Sequence, residues 1–444
     1  MSRYVKWHAL MLLAPLLIVA AAPGLAWAQE APPPEISTEL MIEAARAALA
    51  KGELDDAEFL LEGVEPNKRN IDDLDFLHGS IALRRGEWQA AIARFRAMLA
   101  RNPNLPRVRL DLALAYFQAG EDRQAAYHFR LALGAKDLPP IVRARALAFL
   151  DRIRRRKSWS ISGSLALAPD TNINAATSAR QVALFGLPAQ LSDDARQTSG
   201  VGLSANILGG YEGRISEALR FRTAAGLYTR TYKADRFNEQ VLSLRAGPRF
   251  LFRKFDLRPE LTTRVRRLGD ATYSRATGFE LSGTWLMAPD WRLNAALSSE
   301  EIAYETFLGD GRLYSGQLSI AHALGQAMVL RGDTIFRREV LDQDAYSWRE
   351  YIVGISATRE FRWGFVLTAG PSHRWRTYGA PLPAFGPAAR RDRTLTGWIT
   401  LSNRYVELFG FMPKVTVRHE QRDSNLALYD YKRTVGEFGL VASF

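Results

Sequence analysis

From residue 158 to Phe444 the chain is a succession of short segments in which apolar and polar residues alternate. The last segment shows the pattern. Phe438, Leu440, Ala442 and Phe444 fall on one side, and Glu437, Gly439, Val441 and Ser443 on the other. A period of two with one apolar side is strand geometry. Fourteen such segments can be counted, from Trp159–Leu167 to 431–444. Fourteen is an even number, as a single-chain bacterial barrel requires.

The charged residues say which side faces what. In the segment 239–253, Leu242, Leu244, Ala246, Phe250 and Phe252 share a side, while Arg245 and Arg249 lie on the other. In the next, Leu257, Leu261 and Val265 oppose Arg258, Glu260, Arg264 and Arg266. Phe221 and Leu227 likewise oppose Arg220, Arg222 and Arg230. An arginine facing lipid at mid-depth costs about 2–4 kcal/mol. The apolar side therefore meets acyl chains and the arginines line a wet lumen. A soluble sheet would bury its second side against an apolar core, and this side is charged along its length. Arg222, Arg245, Arg249, Arg264 and Arg266 are expected to make the lumen favour anions. Trp159, Tyr211, Tyr232, Trp291 and Tyr378, at segment ends, suit interfacial girdles. The stretches 170–197 and 377–392 read as the long loops, on the face away from the N-terminal domain.

A barrel in an outer membrane needs an export signal. Arg3 and Lys6, the apolar run from Ala9 to Ala22 and the sequence Ala26-Trp27-Ala28 form one, with cleavage expected after Ala28. No later stretch is apolar enough for a membrane-spanning helix, so a closed barrel is the one way for the mature chain to cross lipid. There is no cysteine, hence no disulfide and no lipid-bearing N-terminal cysteine. The formal charge is +12. Excess basic charge can signal nucleic-acid binding, but no groove-reading motif accompanies it, and nucleic acid is not expected as a partner.

After a Pro-rich leader at 29–36, a second periodicity governs residues 37–157. Gly52-Glu53, Gly86-Glu87 and Gly120-Glu121 lie 34 residues apart, as do Ala57, Ala91 and Ala125. The small residues Ala45, Gly79 and Ala113 and the large ones Leu61, Phe95 and Phe129 keep the same spacing. Small residues at fixed offsets let paired helices approach, and the aromatic fills the gap. The pattern resembles the tetratricopeptide repeat. It predicts helix pairs at 38–50 and 54–63, 71–84 and 87–101, and 105–118 and 122–134. A closing helix at 138–156 should bury Ile141, Leu147 and Leu150. Such stacks are concave, and the first helix of each pair lines the hollow. That places Arg46, Asp73, Phe76, Arg107, Leu110 and Leu114 in a groove of mixed charge, suited to an extended peptide. The basic run Arg152, Arg154, Arg155, Arg156 and Lys157 at the junction suits both a helix C-terminus and inner-leaflet phosphates.

Catalytic signals are weak. Of the six histidines, His8, His78, His128, His322, His373 and His419, none pair at metal-ligand spacing. His419 and Ser424 with Asp423 evoke a barrel hydrolase, but nucleophile and base need converging geometry. No phosphate loop, dinucleotide fingerprint or nucleophile elbow occurs. No catalytic residue, metal or cofactor is expected, and the chain is read as a non-enzyme.

Two stretches carry a family resemblance. The first strand runs into Ala168-Pro169-Asp170-Thr171-Asn172-Ile173-Asn174-Ala175-Ala176. The last hairpin holds Asp423-Ser424-Asn425-Leu426-Ala427-Leu428-Tyr429-Asp430-Tyr431 and ends on Phe444. With the repeat domain before them, they make the chain similar to the surface lipoprotein assembly modulator (Slam) family. That resemblance implies a periplasmic tetratricopeptide-type domain before a 14-stranded outer-membrane barrel. It also implies a translocator that delivers a client, either a surface lipoprotein or a soluble secreted protein, to the cell surface. Pro169, Asp170, Asn172, Asn174, Ser424, Asn425, Tyr429, Tyr431 and Phe444 are the family-like positions. Expected partners are the client, outer-membrane lipids, the barrel-assembly machinery and periplasmic chaperones, with the protein itself a monomer. The alternative reading is a passive anion-preferring porin or a polysaccharide exporter with a periplasmic repeat domain.

Overall fold

The computed structural model describes residues 37–135, 138–156, 158–406, 408 and 411–443. The expected signal peptide (1–28), the leader (29–36) and Phe444 lie outside the described residues, as do the side chains of Arg154, Arg155, Arg156 and Lys157. Seven helices come first: α1 Thr38–Lys51, α2 Leu54–Glu62, α3 Ile71–Arg85, α4 Trp88–Arg101, α5 Pro106–Gln118, α6 Asp122–Leu133 and α7 Pro140–Arg156. They are three antiparallel pairs and a closing helix, as the 34-residue period predicts.

The repeat columns form the core. Ala45, Ala57, Ala91, Ala113, Ala125 and Phe95 are fully buried, and Leu61 and Phe129 nearly so. Gly79 shows why its column is small. A Cβ there would stand 2.8 Å from the Phe95 ring, closer than packed carbons approach. Gly52, Gly86 and Gly120 end the first helices with φ of 89°, 82° and 82°, the left-handed conformation that glycine adopts without strain. The closing helix behaves differently from expectation at one position. Ile141 is 64% exposed. Ala146 and Ile153 are buried instead, with Leu147, Phe149 and Leu150 packed beside them. Phe149 stacks on Phe129 with ring centroids 5.2 Å apart, so the helix rotates to seat its aromatic and leaves Ile141 outside.

The strands follow. They are β1 Trp159–Asp170, β2 Gln181–Leu184, β3 Leu187–Gln190, β4 Gly200–Arg214, β5 Leu219–Tyr232, β6 Glu239–Leu251, β7 Phe255–Leu268 and β8 Ala271–Ala288. Then come β9 Trp291–Tyr304, β10 Asp310–Leu324, β11 Met328–Leu341, β12 Trp348–Glu360, β13 Phe365–Pro381, β14 Ala389–Asn403, β15 Met412–Ser424 and β16 Tyr431–Ser443. Leaving out the small hairpin β2–β3, the other fourteen form one closed barrel in which β1 pairs with both β4 and β16. Closure satisfies every ladder and leaves no edge in lipid.

Along each strand the apolar residues point out, among them Leu165, Leu244, Leu261, Leu297, Ile355 and Ile399. Two of the five expected girdle residues point in instead. Tyr232 is buried and donates its hydroxyl to Asp170 Oδ2 at 3.1 Å. Tyr378 lies under the Arg390 guanidinium, 4.6 Å from its ring centroid. A strand-end tyrosine can serve either interface or lumen, and strand parity decides which. The expected loop at 377–392 is mostly strand, because β13 runs to Pro381 and β14 begins at Ala389. The stretch after β1 holds the hairpin β2–β3, whose Phe185 N–H donates to Ala384 O across the rim.

Candidate functional site: the barrel mouth and its helical cover

The barrel strands run alternately up and down, so the turns after β10, β12 and β14 sit at the end where β1 begins. The helical domain docks on these three turns. At the centre is Arg109 of α5, with no exposed surface. Its Nη1 donates to Glu360 Oε2, at the end of β12, at 3.2 Å. Its Nε and Nη2 both donate to Pro103 O, at 3.1 and 2.7 Å. The Tyr127 hydroxyl donates to the same Glu360 oxygen at 2.8 Å. The Arg404 guanidinium lies 3.4 Å from the Tyr127 ring centroid, and Arg96 covers the Tyr405 ring at 4.7 Å. Arg96 Nη2 also donates to Arg404 O at 3.3 Å. A Cβ on Gly134, at the end of α6, would stand 2.0 Å from Gly325 O, so glycine there lets the helix end meet the β10–β11 turn. His128 is wholly buried beside Arg109. Burial holds its pKa well below 6.5, and Arg109, Arg404 and Arg96 push it the same way.

None of these joint residues stood out as functional in the sequence. One signal was present. Arg109 lies 34 residues after Asp75, so both occupy the same column of the repeat, and both are buried charges. Asp75 is neutralised inside the domain by Arg94 and Arg101, at 3.0 and 2.7 Å. Arg109 finds its carboxylate on the barrel.

The six groove residues lie on the first helices of the pairs, and the fold brings several together. Arg46 of α1 donates to Asp73 of α3 at 2.8 Å. Arg107 of α5 covers the Phe76 ring at 5.6 Å and donates to Asp111 at 3.2 Å. Leu110 packs against the core beside Phe76, and Leu114 is half-buried. Among the described residues no hydrogen bond or ion pair joins these six to the barrel. The joint uses α4, α6 and Arg109, so the groove stays uncovered.

The five lumen arginines do point inward, but each meets a carboxylate. Arg222 reaches Glu260 at 2.5 Å, Arg264 reaches Glu300 at 2.8 Å and Arg266 reaches Glu239 at 2.8 Å. Arg249 holds Glu212 and Asp256 at 2.9 and 3.0 Å, and Arg245 lies 3.6 Å from Glu280. Glu350 gathers Arg337, Arg374 and Arg376. These arginines therefore sit in a mixed ionic lattice, not as free charges. In a confined channel an unmatched guanidinium is costly, and neighbouring strands supply the matching charge at the right register.

The two family-like motifs build the far rim. Pro169 has no N–H, and the β1–β16 ladder skips from Leu167↔Phe438 to Asp170↔Val435. Beyond that gap Asp170 clamps the seam. Arg433 Nη2 donates to its Oδ2 at 2.6 Å, and Asn172 N donates to its Oδ1 at 2.9 Å. Asn172 Nδ2 donates to Ala176 O and Lys432 O, and Asn174 Nδ2 to Arg196 O. In the last hairpin Asn425 accepts from Arg391 N and donates to Ala389 O. Ser424 Oγ accepts from Leu426 N, the Arg390 guanidinium covers Tyr429 at 3.3 Å, and the Tyr431 hydroxyl donates to Glu420. These residues are rim architecture. His419 and Ser424 are five positions apart on one strand and so face opposite sides; His419 Nδ1 pairs outward with Thr434 Oγ1 at 2.9 Å.

A closed barrel with an apolar exterior, an ion-paired lumen and a tetratricopeptide-type stack over one mouth defines an outer-membrane β-barrel protein with a helical cover. The profile of the surface lipoprotein assembly modifier family matches residues 159–438, and a tetratricopeptide repeat profile matches 82–137. The chain belongs to the surface lipoprotein assembly modifier family. It is 25% identical to surface lipoprotein assembly modifier 1 of Neisseria meningitidis, over 81% of this chain and 73% of that one. It is 23% identical to the hemophilin secretion modulator of Acinetobacter baumannii, over 81% and 76% of the two chains. Among solved structures, the outer-membrane channel DcaP of Acinetobacter baumannii aligns with a TM-score of 0.40 and 10% identity, over 64% of this chain and 97% of that one.

Proposed function

We propose that this protein is a translocator that takes a client protein from the periplasm to the cell surface. The client is a surface lipoprotein or a soluble secreted protein, the two kinds named by its relatives. The helical domain lies in the periplasm, its groove holds an extended segment of the client, and the client leaves through the lumen or along the β1–β16 seam. The observation that carries this reading is the placement of the helical domain. It is fastened to the barrel mouth by Arg109, Tyr127 and Glu360, and among the described residues no hydrogen bond or ion pair ties the six groove residues to the barrel. A client held there starts beside the channel entrance. No phosphate-loop motif is present in the sequence, so net movement rests on folding or capture outside the cell.

The test keeps the full chain. Phe76→Ala, Leu110→Ala and Leu114→Ala together should lower the amount of client at the surface of intact cells, with barrel content in the membrane unchanged. Undiminished display would remove the groove from the mechanism. The passive-porin alternative expects anion-selective single-channel conductance without any client.

A further inference from the structure

The outer wall of the barrel carries a second set of arginines, and these are not matched. At the end remote from the helical domain, Arg338 of β11 stands directly opposite Arg349 of β12. Arg349 is opposite Thr377 of β13, and Thr377 is opposite Arg391 of β14. Arg393 lies one outward position below Arg391. By strand parity all four arginines point away from the lumen, and all four are exposed. Among the described residues none of them makes an ion pair. The nearest carboxylate in the register is Asp423, opposite Arg393, and it accepts from Gln421 at 3.0 Å. Other outward arginines toward this rim have partners of their own: Arg312 pairs with Glu301 at 2.7 Å and Arg275 with Glu305 at 3.5 Å, and Arg267 donates to Asp270 O at 2.8 Å.

Like charges directly opposite on a sheet repel, and the row from Arg338 to Arg391 spans three strand spacings, about 14 Å. Just below it, toward the apolar band, runs an aromatic row. Phe336 is opposite Tyr351, with ring centroids 5.0 Å apart, and Tyr351 is opposite Trp375. Aromatics at that position mark the height where acyl chains give way to headgroups. The same level on β4, on the other side of the barrel, is apolar, with Val201 and Leu203 exposed. The basic row is therefore a local patch.

We infer that Arg338, Arg349, Arg391 and Arg393 form a binding site for a glycolipid bearing more than one phosphate in the outer leaflet. The guanidinium forks take the phosphates, and Phe336, Tyr351 and Trp375 pack on the acyl chains beneath. The leaflet assignment rests on the proposed periplasmic location of the helical domain; the phosphate chemistry does not.

The test uses the full-length protein in neutral detergent, with bound lipid read by native mass spectrometry. The probes are bisphosphorylated lipid A, its dephosphorylated form, phosphatidylglycerol and inorganic phosphate. The native protein should retain the bisphosphorylated lipid about tenfold better than the other three. Arg338→Gln, Arg349→Gln and Arg391→Gln together, or Arg349→Glu alone, should abolish that preference. The control Arg275→Gln should keep it. Equal retention by the triple variant, or equal binding of phosphatidylglycerol or inorganic phosphate, would overturn the site. Protease access to the helical domain in intact cells tests orientation separately, because the detergent measurement does not depend on it.

Discussion

Arg109 and Glu360 are separated by 251 residues and meet with both side chains buried, a guanidinium of the repeat domain donating to a carboxylate at the barrel mouth. Each would be an uncompensated charge without the other. The pair therefore ties the helical domain to the barrel and makes their docking specific in position.

Removing one partner should be expensive. Arg109→Ala strands Glu360 and is expected to cost about 3–5 kcal/mol of interdomain stability. In limited proteolysis of the membrane-embedded protein, the segment between α7 and β1 should be cleaved faster. Glu360→Gln, which keeps a hydrogen-bond acceptor, should do less. Cleavage at the native rate in Arg109→Ala would mean that the turns hold the domain without this pair.

Acid should loosen the helical domain through His128. Its native pKa is depressed below 6.5 by burial and by nearby arginines. Above about 6.5 neither folded nor unfolded chain is protonated there, and the residue exacts no penalty. As pH falls below that value, the unfolded chain takes up a proton that the native one refuses, and stability drops by up to about 1.4 kcal/mol per pH unit until the native pKa is reached. Thermal unfolding of the helical domain should occur at lower temperature at pH 5 than at pH 7. His128→Gln should flatten that dependence, and an unchanged slope in the variant would rule His128 out as its source.

Gly79 is a packing constraint that can be tested alone. Gly79→Val places branched carbon where Phe95 already lies 2.8 Å from a bare Cβ. Overpacking of this kind costs about 1–3 kcal/mol. The helical transition in a melt of the whole protein should fall by several degrees while the barrel transition stays put. A combined fall in both would show that the domains unfold as one unit.

At the far rim, Asp170→Asn removes the charge that holds Arg433 beyond the Pro169 gap in the seam. Loss of a buried partner again predicts a cost of about 3 kcal/mol or more. The variant barrel should convert to its unfolded gel mobility at a lower heating temperature than the native one. If conversion is unaltered, the remaining β1–β16 hydrogen bonds suffice to close the barrel.

Much of the architecture was legible because it is written locally. The columns Ala45, Gly79, Ala113 and Leu61, Phe95, Phe129 announce paired helices, since one period repeats one packing problem. The alternation of Leu242 and Leu244 with Ser243 and Arg245 announces a strand wet on one side and lipid-facing on the other. Ile141, Tyr232 and Tyr378 were misassigned because the rotation of a helix or the parity of a strand end depends on distant neighbours.

Local pattern, then, determined the two folding units, their order and the count of fourteen strands, because periodicity needs only the next few residues. Pairing was decided elsewhere. That the lumen arginines are neutralised while Arg338 and Arg349 on the outer wall are not follows from register across strands. That Arg109 serves the barrel while Asp75, in the same repeat column, serves its own domain follows from where the chain returns 251 residues later. Charges are matched in space, and only the closed three-dimensional structure says which ones become neighbours.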